Sequence, residues 1–263
     1  MYEIREKMIL LRRGFRKFLT CFFIKKPNGV KVVNETWDYL IILDACRYDY
    51  FEKNYSEYLE GKLYKKISQG SYTPEWLERN FSDKNNDIVY VGGNDFVERD
   101  FKDRFHFVDN VANYAWDEKL GTVKPNDITK AALRNKIKFP NKRIIVHYVQ
   151  PHAPFVGKER VKHLKFLDEN KPAWRAFDMA RMGLVSKEKL RKAYEENLKL
   201  VLKEVKELIK YIKGKIIVTA DHGELLSEYG LYGHRRELYF KELIEVPWLV
   251  IKKMMLKKYQ KNI

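Results

Sequence analysis

Cysteine is almost missing from this 263-residue chain: Cys21 and Cys46 are the only two, too few for a disulfide scaffold. No apolar run reaches the roughly 18 residues of a membrane span. The longest near the N-terminus, residues 18–24, sits among Arg12, Arg13, Arg16, Lys17, Lys25 and Lys26. No small-residue cleavage site follows it, which speaks against a signal peptide. Internal repeats and low-complexity stretches are also lacking. Acid is in deficit, with 36 Asp+Glu against 52 Lys+Arg, a formal charge of +16. What the chain does have is 45% hydrophobic and 14% aromatic residues, enough for a packed core and too much for a disordered chain.

The position of the charge narrows its meaning. Residues 1–26 carry eight Lys/Arg and two Glu, and residues 252–263 carry five Lys and no acid, so +11 of the +16 lies in the two ends. A nucleic-acid enzyme is expected to gather its basic residues around a groove. Here they favour a surface-contact role for the tails, and no nucleic-acid partner is expected. Within the first tail, Ile4, Met8, Leu11, Phe15, Leu19 and Phe22 recur at helical spacing, up to the break at Pro27-Asn28-Gly29. Residues 1–26 therefore read as a basic amphipathic helix, either packed on the domain or lying on an anionic membrane surface. The expected location is cytoplasmic, peripheral on the inner membrane face if that helix binds lipid.

Between the tails, short apolar runs alternate with amphipathic stretches. Residues 37–43, 87–91, 144–149, 216–220 and 248–251 read as buried strands. Residues 74–81, 127–137 and 187–212 read as helices, the last through Leu190, Tyr194, Leu198, Val201, Val205, Leu208 and Ile212. This alternation predicts an α/β fold: three layers, a mostly parallel sheet with helices on both faces, over one domain at 27–251. Residues 153–186 have weak periodicity and several aromatics, the pattern of a long loop or lid near a site.

Open parallel sheets bind ligands beyond the carboxyl ends of their strands. Asp44, Arg47 and Asp49 follow the first run. Pro151-His152-Ala153-Pro154 follows the third, and Asp221-His222-Gly223-Glu224 the fourth, with Gly233-His234 ten residues on. Asp and His together suit zinc or manganese, while calcium or magnesium would draw on the carboxylates. Each piece has a plainer reading: Asp44 as a helix cap, His152 in a proline-shaped turn, Asp221-His222-Gly223 as a turn. Joint arrival at one sheet edge favours a site. His106 and His163 lack that setting, and His147, inside a strand, reads as a core histidine or one standing behind the site. Thr73, just before Pro74, reads as the N-cap of its helix, where backbone N–H groups face an incoming anion.

These blocks also resemble the sulfatase and alkaline phosphatase superfamily. The resemblance rests on L-D-A-C-R-Y-D at 43–49, G-S-Y-T-P at 70–74 and H-Y-V-Q-P-H-A-P-F at 147–155. T-A-D-H-G-E at 219–224, G-H at 233–234 and V-P-W-L-V at 246–250 complete it, in the superfamily's order. It implies an alkaline-phosphatase-like core in which Asp44, Asp221 and His222 hold a divalent metal with Thr73 beside them as ligand and nucleophile. His152 and His234 would bind a second metal or the substrate's oxyanion, giving one or two ions. Arg47 would contact the substrate or lock the helix behind the first strand, and Ser71 is the rival nucleophile or a substrate contact. The sequence departs from the superfamily in three places. Neither cysteine has a proline two residues on, as the aldehyde-forming cysteine of sulfatases does. The middle block offers Pro151-His152 where two-zinc members supply an Asp. The smaller C-terminal subdomain of many sulfatases has no counterpart before the basic tail at 252–263.

The implied activity is a metal-dependent hydrolase or transferase acting on phosphate esters, with sulfate esters second, through a Thr nucleophile. An anionic ester is the expected substrate. The alternative is a catalytically inactive relative serving as a binding module at a membrane, since fold alone does not prove activity.

Overall fold

The computed structural model describes residues 26–159, 161 and 175–253. The expected helix at 2–24, His163, residues 162–174 of the expected lid and residues 254–263 lie outside the described residues. In chain order the elements are β1 (Tyr39–Leu43), α1 (Tyr48–Asn54), β2 (Lys62–Ile67), α2 (Thr73–Asn80), β3 (Asn85–Gly92), α3 (Asp95–Phe101) and β4 (Phe105–Asn110). Then come α4 (Pro125–Lys138), β5 (Arg143–Tyr148), α5 (Arg175–Arg181), α6 (Lys187–Tyr211), β6 (Gly214–Thr219) and β7 (Glu245–Lys253). One-turn helices at Ala112–Ala115 and Lys241–Ile244 and two pairs of two-residue strands fill the connections.

The strands form one sheet in the order β2-β7-β6-β1-β5-β3-β4. β1 lies at its centre, parallel to β5 and β6, with Leu43 opposite Tyr148 and Ile42 opposite Thr219. Successive side chains of a strand point to opposite faces, and both faces here are covered. Ile41, Leu43, Val89, Val91, Val146 and Val218 pack under α4 and α6, against Ile128, Ala131, Leu198, Val201 and Val205. Leu40, Ile42, Ile88, Tyr90, Ile145 and Ile217 pack under α2 and α3, against Trp76, Leu77, Val97 and Phe101. Each such fully buried aliphatic side chain contributes about 1.5–3 kcal/mol. This is the three-layer, mostly parallel architecture the sequence predicts.

β7 departs from the parallel rule by running antiparallel to both β6 and β2. No long crossover helix stands between β6 and β7, and a parallel return needs one. Being antiparallel to β7, β2 points the same way as β1, so the turn after β2 reaches the same sheet edge as Asp44. β2 is an edge strand whose exposed Lys62, Lys65 and Lys66 discourage further pairing.

The described part of 153–186 is not bare loop. Phe155, Val161, Phe177, Met179 and Ala180 pack with Leu190, Tyr194 and Leu226 in a third cluster over the N-terminal half of α6. The start of α2 also differs from expectation. Tyr72, with φ −163° and ψ 159°, occupies the cap position, and Thr73 is the first helical residue. Thr73 is thus released from capping, and its side chain turns toward the sheet edge.

Candidate metal-dependent active site

Two clusters of ligand-type side chains meet beyond the carboxyl ends of β1, β5 and β6. In each, the donor atoms lie within 4.8 Å of one another. The inner cluster is Asp44, Asp221 and His222. His222 Nε2 lies 3.4 Å from Asp221 Oδ2 and 3.6 Å from Asp44 Oδ1. Its Nδ1 faces the Gly223 carbonyl at 2.8 Å, which takes up the ring N–H and leaves the Nε2 lone pair toward the carboxylates. Burial pushes His222 down to about 4, and this keeps the ring neutral, as a ligand must be. The outer cluster is His152, Glu224 and His234. His234 Nδ1 lies 3.0 Å from Glu224 Oε1, and His152 Nδ1 faces the Ala153 carbonyl. The His222 and His234 rings, 4.2 Å apart, join the two clusters.

Thr73 stands at the inner cluster. Its hydroxyl donates to Asp221 Oδ2 at 2.7 Å and lies 3.3 Å from His222 Nε2. Asp221 Oδ1 accepts from the Ala45 N–H at 3.2 Å and from the His222 N–H at 2.9 Å. His147, buried on β5, turns Nδ1 to the Tyr90 hydroxyl and Nε2 toward Asp221 Oδ2 at 3.8 Å. It stands behind the site, as its place inside a strand suggests. His106 is exposed and packs edge-on against Phe139.

The electrostatics fit a cation. Burial, then the neighbouring Asp221 and Glu224, hold Asp44 well above the usual carboxylate range. Burial pushes Asp221 up as well, but His222, His147 and the Thr73 and Ala45 donors outweigh it and bring Asp221 down. Among the described residues, Asp44 Oδ1 and Glu224 Oε2 are buried without a hydrogen-bond partner. A buried carboxylate oxygen left unpaired is costly, and these donor sets could each pair with a divalent ion. The inner cluster is sealed, while the His234 side chain remains 19% exposed, so the outer cluster is the face open to solvent.

Two residues singled out from the sequence as substrate contacts are engaged elsewhere. Arg47 makes a bidentate pair with Asp49, at 2.9 and 2.7 Å, and reaches Glu228 Oε1 at 2.8 Å. It ties the loop after β1 to the loop after β6, an arrangement of the locking kind. The Ser71 hydroxyl lies 2.9 Å from Glu75 Oε2 and 2.7 Å from the Arg235 carbonyl, and accepts from the Leu238 N–H at 3.2 Å. It faces the 235–238 loop, whereas Thr73 faces the clusters. Glu224 was not singled out as a ligand from the sequence. The signal was in Asp221-His222-Gly223-Glu224, where a second carboxylate three residues after the first can face a neighbouring ring.

The local backbone is shaped for this convergence. Ala45, next to Asp44, has φ +59°, the left-handed region that L-residues avoid. Its carbonyl accepts from the Tyr194 hydroxyl at 2.7 Å, and that hydroxyl accepts from the Arg47 N–H at 2.9 Å. The Gly223 N–H donates to the Leu243 carbonyl at 2.8 Å. A Cβ at Gly223 would run into the Glu242 carbonyl oxygen, so only glycine allows this approach.

No protein-family model matches the chain, and no curated protein matches it. Solved structures do. The C-terminal periplasmic domain of phosphoethanolamine transferase EptC from Campylobacter jejuni aligns at TM-score 0.56 and 17% identity, over 82% of this chain and 80% of that one. Lipooligosaccharide phosphoethanolamine transferase A, an integral membrane protein of Neisseria meningitidis, aligns at 0.57 and 12%, over 86% of this chain and 48% of that one. The C-terminal periplasmic domain of EptC from Escherichia coli, in complex with Zn, aligns at 0.51 and 14%, over 88% and 77%. At these identities the likeness is one of fold. The chain shares its fold with these phosphoethanolamine transferase domains.

Proposed function

We propose that this chain is a metal-dependent phosphoester transferase or hydrolase with Thr73 as its nucleophile. The observation that carries the reading is the buried Thr73 hydroxyl, 2.7 Å from Asp221 and 3.3 Å from His222, at the inner of two clusters of ligand-type side chains. Asp44, Thr73, Asp221 and His222 would hold one divalent ion, with zinc or manganese suited to mixed imidazole and carboxylate donors. His152, Glu224 and His234 would take a second ion or the substrate's oxyanion. A bound ion lowers the pKa of a coordinated hydroxyl and offsets charge on the transferring group.

The chain's own groups define the rest. Thr73 Oγ1 forms a bond to phosphorus as the bond to the leaving oxygen breaks, and the leaving oxygen takes that electron pair. The Thr73 proton moves along its existing hydrogen bond to Asp221 Oδ2. His152 and His234, on the open side, orient the phosphoryl oxygens. Water or an acceptor alcohol then releases the phosphorylated threonine, and the acceptor decides between hydrolase and transferase. The transferase names of the aligned domains support transfer over hydrolysis. A hydroxyl nucleophile favours phosphoryl over sulfuryl transfer. Cys46, the described cysteine, is buried behind Asp44 with its sulfur toward the Arg47 carbonyl. The unpaired carboxylate oxygens favour a working metal centre over an inactive binding module. The charge on residues 1–26 and 252–263 supports contact with an anionic membrane surface. Among the described residues no helix is long and apolar enough to cross a membrane.

The test is Thr73→Ala, with bis(4-nitrophenyl) phosphate, 4-nitrophenyl phosphate and 4-nitrophenyl sulfate as probes. Turnover of the best phosphoester should fall by about a thousandfold or more, with bound metal largely kept, and Ser71→Ala should cost far less. Near wild-type activity in Thr73→Ala would remove the nucleophile. A preference for the sulfate ester would remove the phosphoryl assignment.

A further inference from the structure

Between the turn that carries Thr73 and the loop that carries His234 lies a carboxylate with no exposure at all, Glu75. Its Oε2 accepts from the Ser71 backbone N–H at 2.8 Å and faces the Ser71 hydroxyl at 2.9 Å. Its Oε1 accepts from the Tyr239 hydroxyl at 2.7 Å and pairs with Arg79 at 2.6 Å. Arg79 also donates to the Tyr239 oxygen at 2.7 Å. Ser71 continues the bridge to the Arg235 carbonyl and the Leu238 N–H. One carboxylate thus joins residues 71–75 to residues 235–239, more than 160 positions away in sequence. Thr73 lies inside the first segment, and His234 lies immediately before the second.

We propose that Glu75 is a positioning residue that fixes the Thr73 hydroxyl relative to His234, and so sets the spacing between the inner and outer clusters. The proposal rests on the phosphoester reading for its catalytic meaning. Two features separate this bridge from ordinary packing. A buried ion pair such as Glu75–Arg79 is a poor source of stability, because desolvation consumes most of the attraction, and its best-attested use is to specify one arrangement. Both Glu75 oxygens are also used, Oε2 by the Ser71 N–H and hydroxyl and Oε1 by Tyr239 and Arg79, so the carboxylate is a junction and not merely a cap. Glutamine in its place would turn an amide N–H₂ toward one of those donors. Aspartate would fall short by one methylene.

The experiment uses the full chain with Glu75→Gln and Tyr239→Phe, the latter removing one strut while leaving the carboxylate in place. Hydrogen exchange is followed in peptides covering 70–74, 234–239 and, as a control, 144–148. In both variants the first two peptides should lose protection together by about tenfold or more, the scale of one charge-assisted bond, with the control unchanged. On bis(4-nitrophenyl) phosphate, kcat should fall about tenfold or more with KM held within about twofold; a loss of folded protein would give the same split, so kcat is taken per folded chain, counted from the protection of the 144–148 control peptide. Unchanged protection at 234–239 in both variants, or unchanged kcat, would overturn the proposal. A wild-type chain that turns over no phosphoester would end the phosphoester reading, while the exchange data would still decide the junction.

Discussion

Removing the hydroxyl of Tyr194 should unseat Asp44 without touching any ligand. Tyr194 lies on α6, fully buried, and its hydroxyl bridges the Ala45 carbonyl and the Arg47 N–H at 2.7 and 2.9 Å. In Tyr194→Phe both backbone groups stay buried and lose that partner, at about 1–3 kcal/mol each. The ring still packs against Tyr50, 5.0 Å away, and Phe155, 6.5 Å away, so the apolar contribution is kept. A further strain of about 1–2 kcal/mol is held at Ala45, whose φ is +59°. Once its carbonyl is free, Ala45 can relax toward negative φ, and the relaxation moves Asp44 and withdraws the Ala45 N–H from Asp221. We expect a stability loss of about 2–4 kcal/mol by urea unfolding and a fall in zinc affinity of about tenfold or more, as for other residues that orient ligands. Tyr148→Phe is the control, since its hydroxyl meets Thr129 of α4 at 2.8 Å and not the loop after β1. That change should cost about 1 kcal/mol and leave zinc affinity unchanged. A Tyr194→Phe protein within about 0.5 kcal/mol of wild type, with unaltered zinc binding, would refute the buttress.

Three other outcomes are expected, the first two from the structure and the third from the charge of the two ends. Purified chain should hold at least one divalent ion, lost in Asp221→Ala. A hundredfold excess of zinc over Kd should raise Tm by roughly 5–10 °C relative to chelated protein, and equal trace metal in both proteins would remove the site. Trp76→Ala, which empties a fully buried position between Phe81 and His147, should cost about 3–5 kcal/mol, and a loss under about 1 would contradict its place in the core. The chain should sediment with anionic vesicles at low salt and detach at high salt, at about 1 kcal/mol per basic residue near the surface. Unchanged partitioning after deletion of residues 1–26 would count against a membrane role for that segment.

Legibility in the sequence followed burial. β1, β5 and β6 were readable because strands covered on both faces are near-continuous apolar runs, and Asp44, Asp221 and His222 were readable because they follow those runs directly. α1 and α3 span seven residues each, two turns of mixed polarity, too short for a helical period to emerge. β4 is an edge strand with exposed His106 and half-buried neighbours, so it carries no apolar run. The reversed direction of β7 left one trace, the lack of a crossover helix before Trp248. Thr73 read as a cap because Thr-Pro is a common helix start. That Tyr72 takes the cap in extended conformation depends on contacts across the sheet edge, which no local pattern encodes. Glu75 and Tyr194 act through partners more than 140 positions distant, beyond any motif.

Gly223 has a consequence for anyone who maps this site by substitution. Any other residue there presses on the Glu242 carbonyl, and the strain falls on the short connection that brings β7 back beside β6. Inactive variants at 223 will therefore cluster with those at 221 and 222 in a scan scored by activity alone, though the glycine has no side chain to offer as a ligand and meets His222 only through its backbone carbonyl. A scan that also records soluble yield separates them: loss at 223 appears as missing protein, and loss at 221 as folded protein that does not turn over.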